Sequence, residues 1–250
     1  MPKIDILGVH VDVIDRVGLY REIDESISHH GKKVLAYANV NALNIAGRDE
    51  KFREFLNRRS VVYCDGEGVR LGAQILGRKL PPRIVLTYWI WELCPLMEKN
   101  GYTMYLLGSP EQVVNKAVAN LKSRFPRLVI AGWHHGYFQK SGPESDAVVD
   151  MINRIKPNLL FVGFGMPMQE HWIADNLARL KANVLLPAGS MIDYAAGMKG
   201  IAPSWMSGHG MEWLYRLFEE PDRLWKRYLV GNPIFLVRVL LQRLMMGRQA

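Results

Sequence analysis

The run Cys64-Asp65-Gly66-Glu67-Gly68-Val69 sets one carboxylate directly behind a short apolar stretch and directly before two glycines. A carboxylate placed this way can take the proton of an attacking hydroxyl. Glycines beside it let a substrate approach the backbone closely. The same position also suits a helix N-cap, which Asp often fills, so position alone leaves base and cap both open. Glu67 reads as a first-turn helix acid favoured by the macrodipole.

A second run, Val162-Gly163-Phe164-Gly165-Met166-Pro167-Met168-Gln169-Glu170, follows the most apolar stretch and opens a helix. It resembles a dinucleotide fingerprint, but the third glycine is missing. No acid closes a second strand about 20 residues later, where a ribose partner belongs. A nicotinamide-dependent oxidoreductase is the alternative this run raises, and both absences argue against it. What remains is a helix N-terminus able to hold a diphosphate or a sugar, with Gln169 as a hydrogen-bonding partner. Glu170 can do the same or serve as a first-turn acid. Gly108-Ser109, ahead of Pro110, is another such helix start, or a plain strand-to-helix turn.

Arg216, Arg223, Lys226 and Arg227 are cations of the kind that grip pyrophosphate oxygens. They could steady a departing nucleoside diphosphate without a metal, or form a solvated basic face. His134 and His135 point to opposite sides of a strand and make a poor chelating pair. The sequence has no His-Glu-x-x-His, no Asp-x-Asp and no cysteine cluster. No structural zinc and no nucleotide-bound metal is therefore expected.

These residues must be positioned by a scaffold. Apolar runs at 33–38, 60–63, 103–107, 128–131, 158–162 and 182–186 read as buried strands. Helix-like segments lie between them near 17–29, 41–56, 67–75, 87–99, 110–124, 144–155 and 168–181. Such alternation predicts a mainly parallel sheet covered by helices on both faces. Ligands of such sheets sit beyond the carboxyl ends of the strands. That rule selects Asn39 to Asn41, Asp65 to Gly68, Gly108-Ser109, Gly163 to Gln169 and Gly189 to Asp193.

The chain has 250 residues, enough for one α/β domain with a small appendage. Its two cysteines, Cys64 and Cys94, read as reduced thiols, and the amino terminus has no secretory signal. From Arg223 onward there are six cations and no acid, out of a net charge of +8. A near-neutral body with a basic, apolar tail suggests a membrane surface or an anionic ligand rather than nucleic acid. Residues 1–204 are expected as the catalytic domain and 205–250 as the appendage. The last run, from Pro233, reads as too short and too charged to span a bilayer. With Arg238, Gln242 and Arg243 on one face it fits an interfacial amphipathic helix, or a helix packed on the core. A non-catalytic membrane-recruited scaffold is a third reading, but it leaves the polar strand ends unexplained.

Taken together, these motifs resemble the WecG/TagA/CpsF family of bacterial glycosyltransferases. The matching pieces are Asn39, Asp65-Gly66-Glu67-Gly68-Val69, Gly108-Ser109 and Gly136-Tyr137-Phe138. Further along come Gly163-Phe164-Gly165-Met166-Pro167-Met168-Gln169-Glu170, Asp193 with Ala196-Gly197, and Ala202-Pro203. The last is Gly210-Met211-Glu212-Trp213-Leu214-Tyr215-Arg216-Leu217, running into Glu220-Pro221-Asp222-Arg223. The resemblance implies a Rossmann-like α/β fold with a helical, membrane-binding appendage. It implies an inverting, metal-independent transfer of a hexosamine, hexosaminuronic acid or hexose. The donor would be a UDP-sugar and the acceptor a polyprenyl-diphosphate-linked glycan. The setting would be cell-surface polysaccharide or teichoic acid synthesis, on the cytoplasmic face of the plasma membrane, with no further cofactor and with a homo-oligomer left open. By the same resemblance Asp65 is the base. Substrate contacts fall to Asn39, Asn41, Gly66, Gly68, Arg83 and Thr87, to Gly108, Ser109 and Tyr137, and to Gly163, Gly165, Pro167, Gln169, Glu170 and Asp193. Arg216, Arg223, Lys226 and Arg227 would hold the diphosphate. Three departures, Tyr37 where Thr is frequent, Leu86 and Tyr88 where Gly and Asp are usual, and Ile201 where Arg is usual, bear on the choice of sugar rather than on the reaction.

Overall fold

The computed structural model describes residues 1–203, 205–206 and 211–247. Ser204 at the expected domain boundary, Gly210 at the head of its motif and Arg248 of the basic tail lie outside the described residues.

Six strands form one parallel sheet: β3 (Lys33–Ala38), β4 (Val61–Cys64), β5 (Thr103–Gly108), β6 (Val129–His134), β7 (Leu159–Gly163) and β8 (Val184–Pro187). Their order is β4-β3-β8-β7-β5-β6. Alternate residues of each strand feed two cores. Val34, Ala36, Leu160 and Val162 face one side, and Leu35, Leu159 and Phe161 face the other. The first core is closed by α2 (Val40–Ala46), α3 (Glu50–Arg59), α4 (Glu67–Ile75), α7 (Pro143–Ile155) and α8 (Met168–Asn176). The second is closed by α1 (Arg16–Ser28), α5 (Leu86–Asn100), α6 (Glu111–Arg124) and α9 (Met191–Ala195). The expected mainly parallel, Rossmann-like α/β architecture is present.

Register decides which loops meet. Ala38 pairs with Cys64 at the ends of β3 and β4, so Asn39 and Asp65 emerge side by side. Gly108 pairs with Gly163 at the ends of β5 and β7. β3 leads to one edge of the sheet and β5 to the other, so their loops part and leave a crevice between them.

Two sequence expectations need correction. The helix expected over 41–56 is two helices, because the chain turns at Gly47 and restarts with Asp49 as N-cap, its carboxylate accepting from the Phe52 amide at 2.9 Å. The helix expected over 168–181 ends at Asn176. An antiparallel hairpin, β1 (Lys3–Ile6) with β2 (Val9–Asp12), is an element that no motif announced. Its turn residues Leu7 and Gly8 both have positive φ, the geometry of tight hairpins. Buried Asp12 accepts from the Val62 amide at 2.8 Å, giving the edge strand β4 a partner.

The carboxyl-terminal segment is helical: α10 (Glu212–Glu219), α11 (Pro221–Trp225), a π-helical turn (Lys226–Val230) and α12 (Gly231–Gly247). Pro221–Gly247 makes a continuous run of 27 residues, which by length and composition alone could cross a membrane. The helix is thus longer than the run from Pro233 read in the sequence. Its inner face is nonetheless fixed to the body. Phe235 and Val239 are buried against α2 and α4, and Gln242 bonds the Leu7 amide at 2.9 Å. Gly72 makes this seating possible, since a Cβ there would stand 2.7 Å from the Phe235 ring. The outer face exposes Ile234, Val237, Leu240, Leu241, Leu244 and Met245.

Candidate active site

Asp65 does not cap α4. Gly66 is the N-cap and no side chain bonds there, so that bland reading of Asp65 falls. Asn39 does the capping one strand away: its Oδ1 accepts from the Ala42 amide at 3.0 Å while its Nδ2 donates to Asp65 Oδ2 at 3.2 Å. Asp65 Oδ1 is buried and has no hydrogen-bond partner among the described residues. Burial pushes the Asp65 carboxyl up to about 7, against the pull of Arg216 and of the Asn39 bond, with Glu212 adding to the rise. A carboxylate held near neutrality with one free oxygen is suited to accept a proton.

Two cavities meet at this residue. The larger, about 1090 Å³, runs over the ends of β5, β7 and β8. It is lined by Asn39, Asn41, Thr87, Ser109, Tyr137, Gly163, Gly165 and Asp193 among others. Arg216, Arg223 and Arg227 close it from the carboxyl-terminal segment. The smaller, about 610 Å³, lies on the other side, between α4 and α12, and takes in Gly66, Gly68 and Arg83. Asp65, Asn39, Asn41, Val85, Arg216, Arg227 and Tyr228 belong to both. The structure therefore brings together most of the residues expected from the sequence.

Some of them have other duties. Gln169 and Glu170 are 0% and 1% exposed and line neither cavity. Gln169 Oε1 accepts from the amides of Gly165 (3.1 Å) and Gly189 (3.0 Å), pinning two cavity loops together. Its Nε2 donates to Glu170 Oε1 at 2.7 Å and to the Tyr37 hydroxyl at 3.4 Å. No hydrogen-bonding capacity is left for a substrate, so the expected substrate contact becomes a loop clamp. Burial drives the Glu170 carboxyl up to about 8. Pro167 is outside both cavities, and so is Lys226, whose ammonium rests over the Trp225 ring instead. Gly108 supports the floor, because a side chain there would strike the Gly163 carbonyl.

The cations are held by acids, of which Glu212 and Glu220 had no role assigned from the sequence. Glu212, 5% exposed, pairs with Arg216 at 2.5 Å and Arg83 at 2.8 Å. Arg83 also reaches Glu67 at 3.4 Å, and Glu67 holds Arg70 at 2.8 Å. Glu220 holds Arg223 and, at 2.9 Å, Lys199, which lies 3.7 Å from Asp193. Asp193 in turn accepts from Ser109 Oγ at 2.7 Å. Ser109 has a left-handed φ of 57°, local strain of the kind stored at sites. Lys140 is another omission: it lines the larger cavity and donates to the Gly136 and Phe138 carbonyls at 2.7 Å, over two phenylalanine rings. Only its place in the loop after Gly136-Tyr137-Phe138 hinted at it.

The family model described as "Glycosyl transferase WecG/TagA/CpsF family" matches residues 4–249. Similar proteins include the N-acetylglucosaminyldiphosphoundecaprenol N-acetyl-beta-D-mannosaminyltransferases of Staphylococcus aureus strains MW2, NCTC 8325 / PS 47 and COL. Each is 30% identical over 241 residues, covering 95% of this chain and 92% of the relative.

Proposed function

The chain belongs to the WecG/TagA/CpsF glycosyltransferase family, and from that premise we propose that it moves an N-acetylhexosamine from a UDP-sugar to a polyprenyl-diphosphate-linked acceptor. The relatives' names supply the substrate class, and N-acetylmannosamine onto an N-acetylglucosaminyl acceptor is the pair to try before others. The observation that carries the reaction type is Asp65: a half-buried carboxylate near pKa 7, its inner oxygen without a hydrogen-bond partner among the described residues, on one cavity wall with three arginines.

In this reading the donor lies in the larger cavity with its diphosphate toward Arg216 and Arg223. Asp65 takes the acceptor hydroxyl's proton as that oxygen attacks the anomeric carbon. The bond to the UDP oxygen breaks on the opposite face, which inverts the centre. The arginines neutralise the charge gathering on the leaving diphosphate, so the transfer needs no metal. The exposed apolar face of α12, edged by Arg243, would lie in the cytoplasmic face of the membrane, where such acceptors are anchored.

The test is Asp65→Asn, which keeps shape and removes the base. Loss of a positioned general base costs about 10²–10⁴-fold in rate. Turnover of UDP-N-acetylmannosamine should fall by that factor, while UDP binding by calorimetry stays near wild type. An Asn variant within a few-fold of wild type would remove Asp65 from the mechanism.

A further inference from the structure

The smaller cavity is not needed to hold a UDP-sugar, yet Asp65 forms part of its wall. An inverting attack requires the acceptor hydroxyl to reach the anomeric carbon from the side away from the leaving group, with the base on that same side. The donor's departing diphosphate belongs with the arginines of the larger cavity, so the side away from it is this second one.

Its walls carry both polar and apolar side chains. Near Asp65 they are polar, with Asn39, Asn41 and Arg227. Arg227 rests on the Tyr228 ring and is ion-paired to none of the described acids. Along α4 away from Asp65 the lining takes in Leu71 and, across from Gly72, Phe235 and Leu236, with Gln74 and Asn232 also in the wall. Leu71 is 46% exposed on α4, an apolar side chain that no fold contact requires. Leu236 begins a row: Leu236, Leu240 and Leu244 recur every fourth residue and so share one side of α12. Leu240 and Leu244 are exposed. The row therefore leads out of the cavity, about 12 Å along the helix at 1.5 Å per residue.

Resting on the transferase reading above, we propose that this cavity is the acceptor site. The acceptor sugar meets Asp65, its diphosphate meets Arg227, and its polyprenyl chain leaves between Leu71 and Leu236 along the Leu240–Leu244 row. A polar head and an apolar tail match a wall that is polar beside Asp65 and continues into Leu71, Leu236 and the exposed Leu240–Leu244 row.

The experiment compares two soluble acceptors that share an N-acetylglucosaminyl diphosphate head, one ending in methyl and one in farnesyl, with UDP-N-acetylmannosamine as donor. KM is measured for each acceptor and for the donor in wild type, Leu71→Asp, Leu236→Asp and the remote surface control Val17→Asp. Wild type and the control should favour the farnesyl acceptor by about tenfold or more, the scale of a few buried methylenes. Both leucine variants should lose that preference by a rise in farnesyl-acceptor KM, with donor KM within twofold of wild type. Because Leu71 is largely in solvent, its variant keeps the comparison sound even where Leu236→Asp folds poorly. Equal KM for the two acceptors in wild type, a preference retained in Leu71→Asp, or a donor KM that rises in parallel would each overturn the assignment. A wild-type enzyme that transfers from no UDP-sugar to either acceptor would overturn the transferase reading itself, and the assignment with it.

Discussion

The acidity of Asp65 makes a prediction that can be followed through several measurements. Its carboxyl stands at about 7 because burial outweighs Arg216 and Asn39. A base works only when ionised. At pH 6 about a tenth of the sites are charged and at pH 8 about nine tenths. kcat/KM should therefore rise with unit slope below pH 7, bend near 7 and level off. Arg216 is the largest influence holding the charged form. In Arg216→Gln the bend should move to higher pH by about one unit, the low end for loss of an adjacent opposite charge. The plateau should also fall, since the leaving diphosphate loses a cation. The folded state raises this group above its ordinary 3.8, so its contribution to stability is present below that pH and is lost as pH rises through 7. The full shift corresponds to about 4 kcal/mol, and solvent reaching the cleft trims it to roughly 2–4. Asp65→Asn escapes that loss. About two fifths of that loss is already present at pH 5, so the variant's melting temperature should exceed wild type by roughly 2–4 °C at pH 5 and by roughly 5–10 °C at pH 8, using about 2–4 °C per kcal/mol at this size. The assays are UDP release across pH 5.5–8.5 and calorimetric melting at the two pH values. A flat wild-type profile, an unmoved bend in Arg216→Gln, or a gap in melting temperature that narrows with pH would refute the reasoning.

Gln169→Leu leaves the Gly165 and Gly189 amides without their shared acceptor. It should cost about 2–3 kcal/mol of stability and weaken UDP binding by calorimetry, whereas Asn41→Ala, in the cavity wall, should weaken binding with little change in melting. Glu212→Ala takes from Arg216 and Arg83 the acid they share, leaving Arg83 its contact with Glu67. Breaking such a pair costs about 3–5 kcal/mol, to be read from urea unfolding. On the outer face of α12, Leu241→Lys with Met245→Lys should abolish flotation with anionic liposomes while leaving the body folded by circular dichroism; undiminished flotation would place the membrane contact elsewhere.

The parallel sheet was legible because its strands are unbroken apolar runs such as Leu159–Val162, buried on both faces, and their helices begin at Pro or acid markers. Strand ends located Asp65, Ser109 and Gly163 before any contact was known. The β1–β2 hairpin was not legible. Its turn is Leu7-Gly8 rather than an Asn-Gly or Asp-Gly pair, and each of its strands is only four residues long. The break at Gly47 was hidden for a related reason: the apolar period continues across it. Gln169 was placed in the right neighbourhood with the wrong task, because sequence position cannot tell a side chain that faces a cavity from one that faces the loops forming it. The acids Glu212 and Glu220 were within motifs but unassigned, since their partners Arg83 and Lys199 are far away in sequence.

The carboxyl-terminal segment is more than a membrane contact, and one perturbation separates the two roles. Arg216, Arg227 and Tyr228 line the cavities beside Asp65, and the turn that carries Arg227 and Tyr228 runs straight into α12, which seats on α4 at Gly72. Gly72→Val forces the Phe235 ring to move, since even a Cβ stands 2.7 Å from it. Unseating lets water reach Asp65. Burial is the main cause of its high pKa, so rehydration should lower it toward the ordinary carboxylate range even though Arg216 withdraws as well. The bend in kcat/KM should then move below pH 7 while the plateau drops, because the base is charged at neutral pH but no cation meets the leaving diphosphate. Liposome flotation should persist, as the outer face of α12 is untouched. This direction is opposite to that expected for Arg216→Gln, where burial stays and only the charge is lost. If Gly72→Val instead moves the bend upward, the arginine rather than burial governs Asp65, and the seating of α12 does not set the acidity of the base.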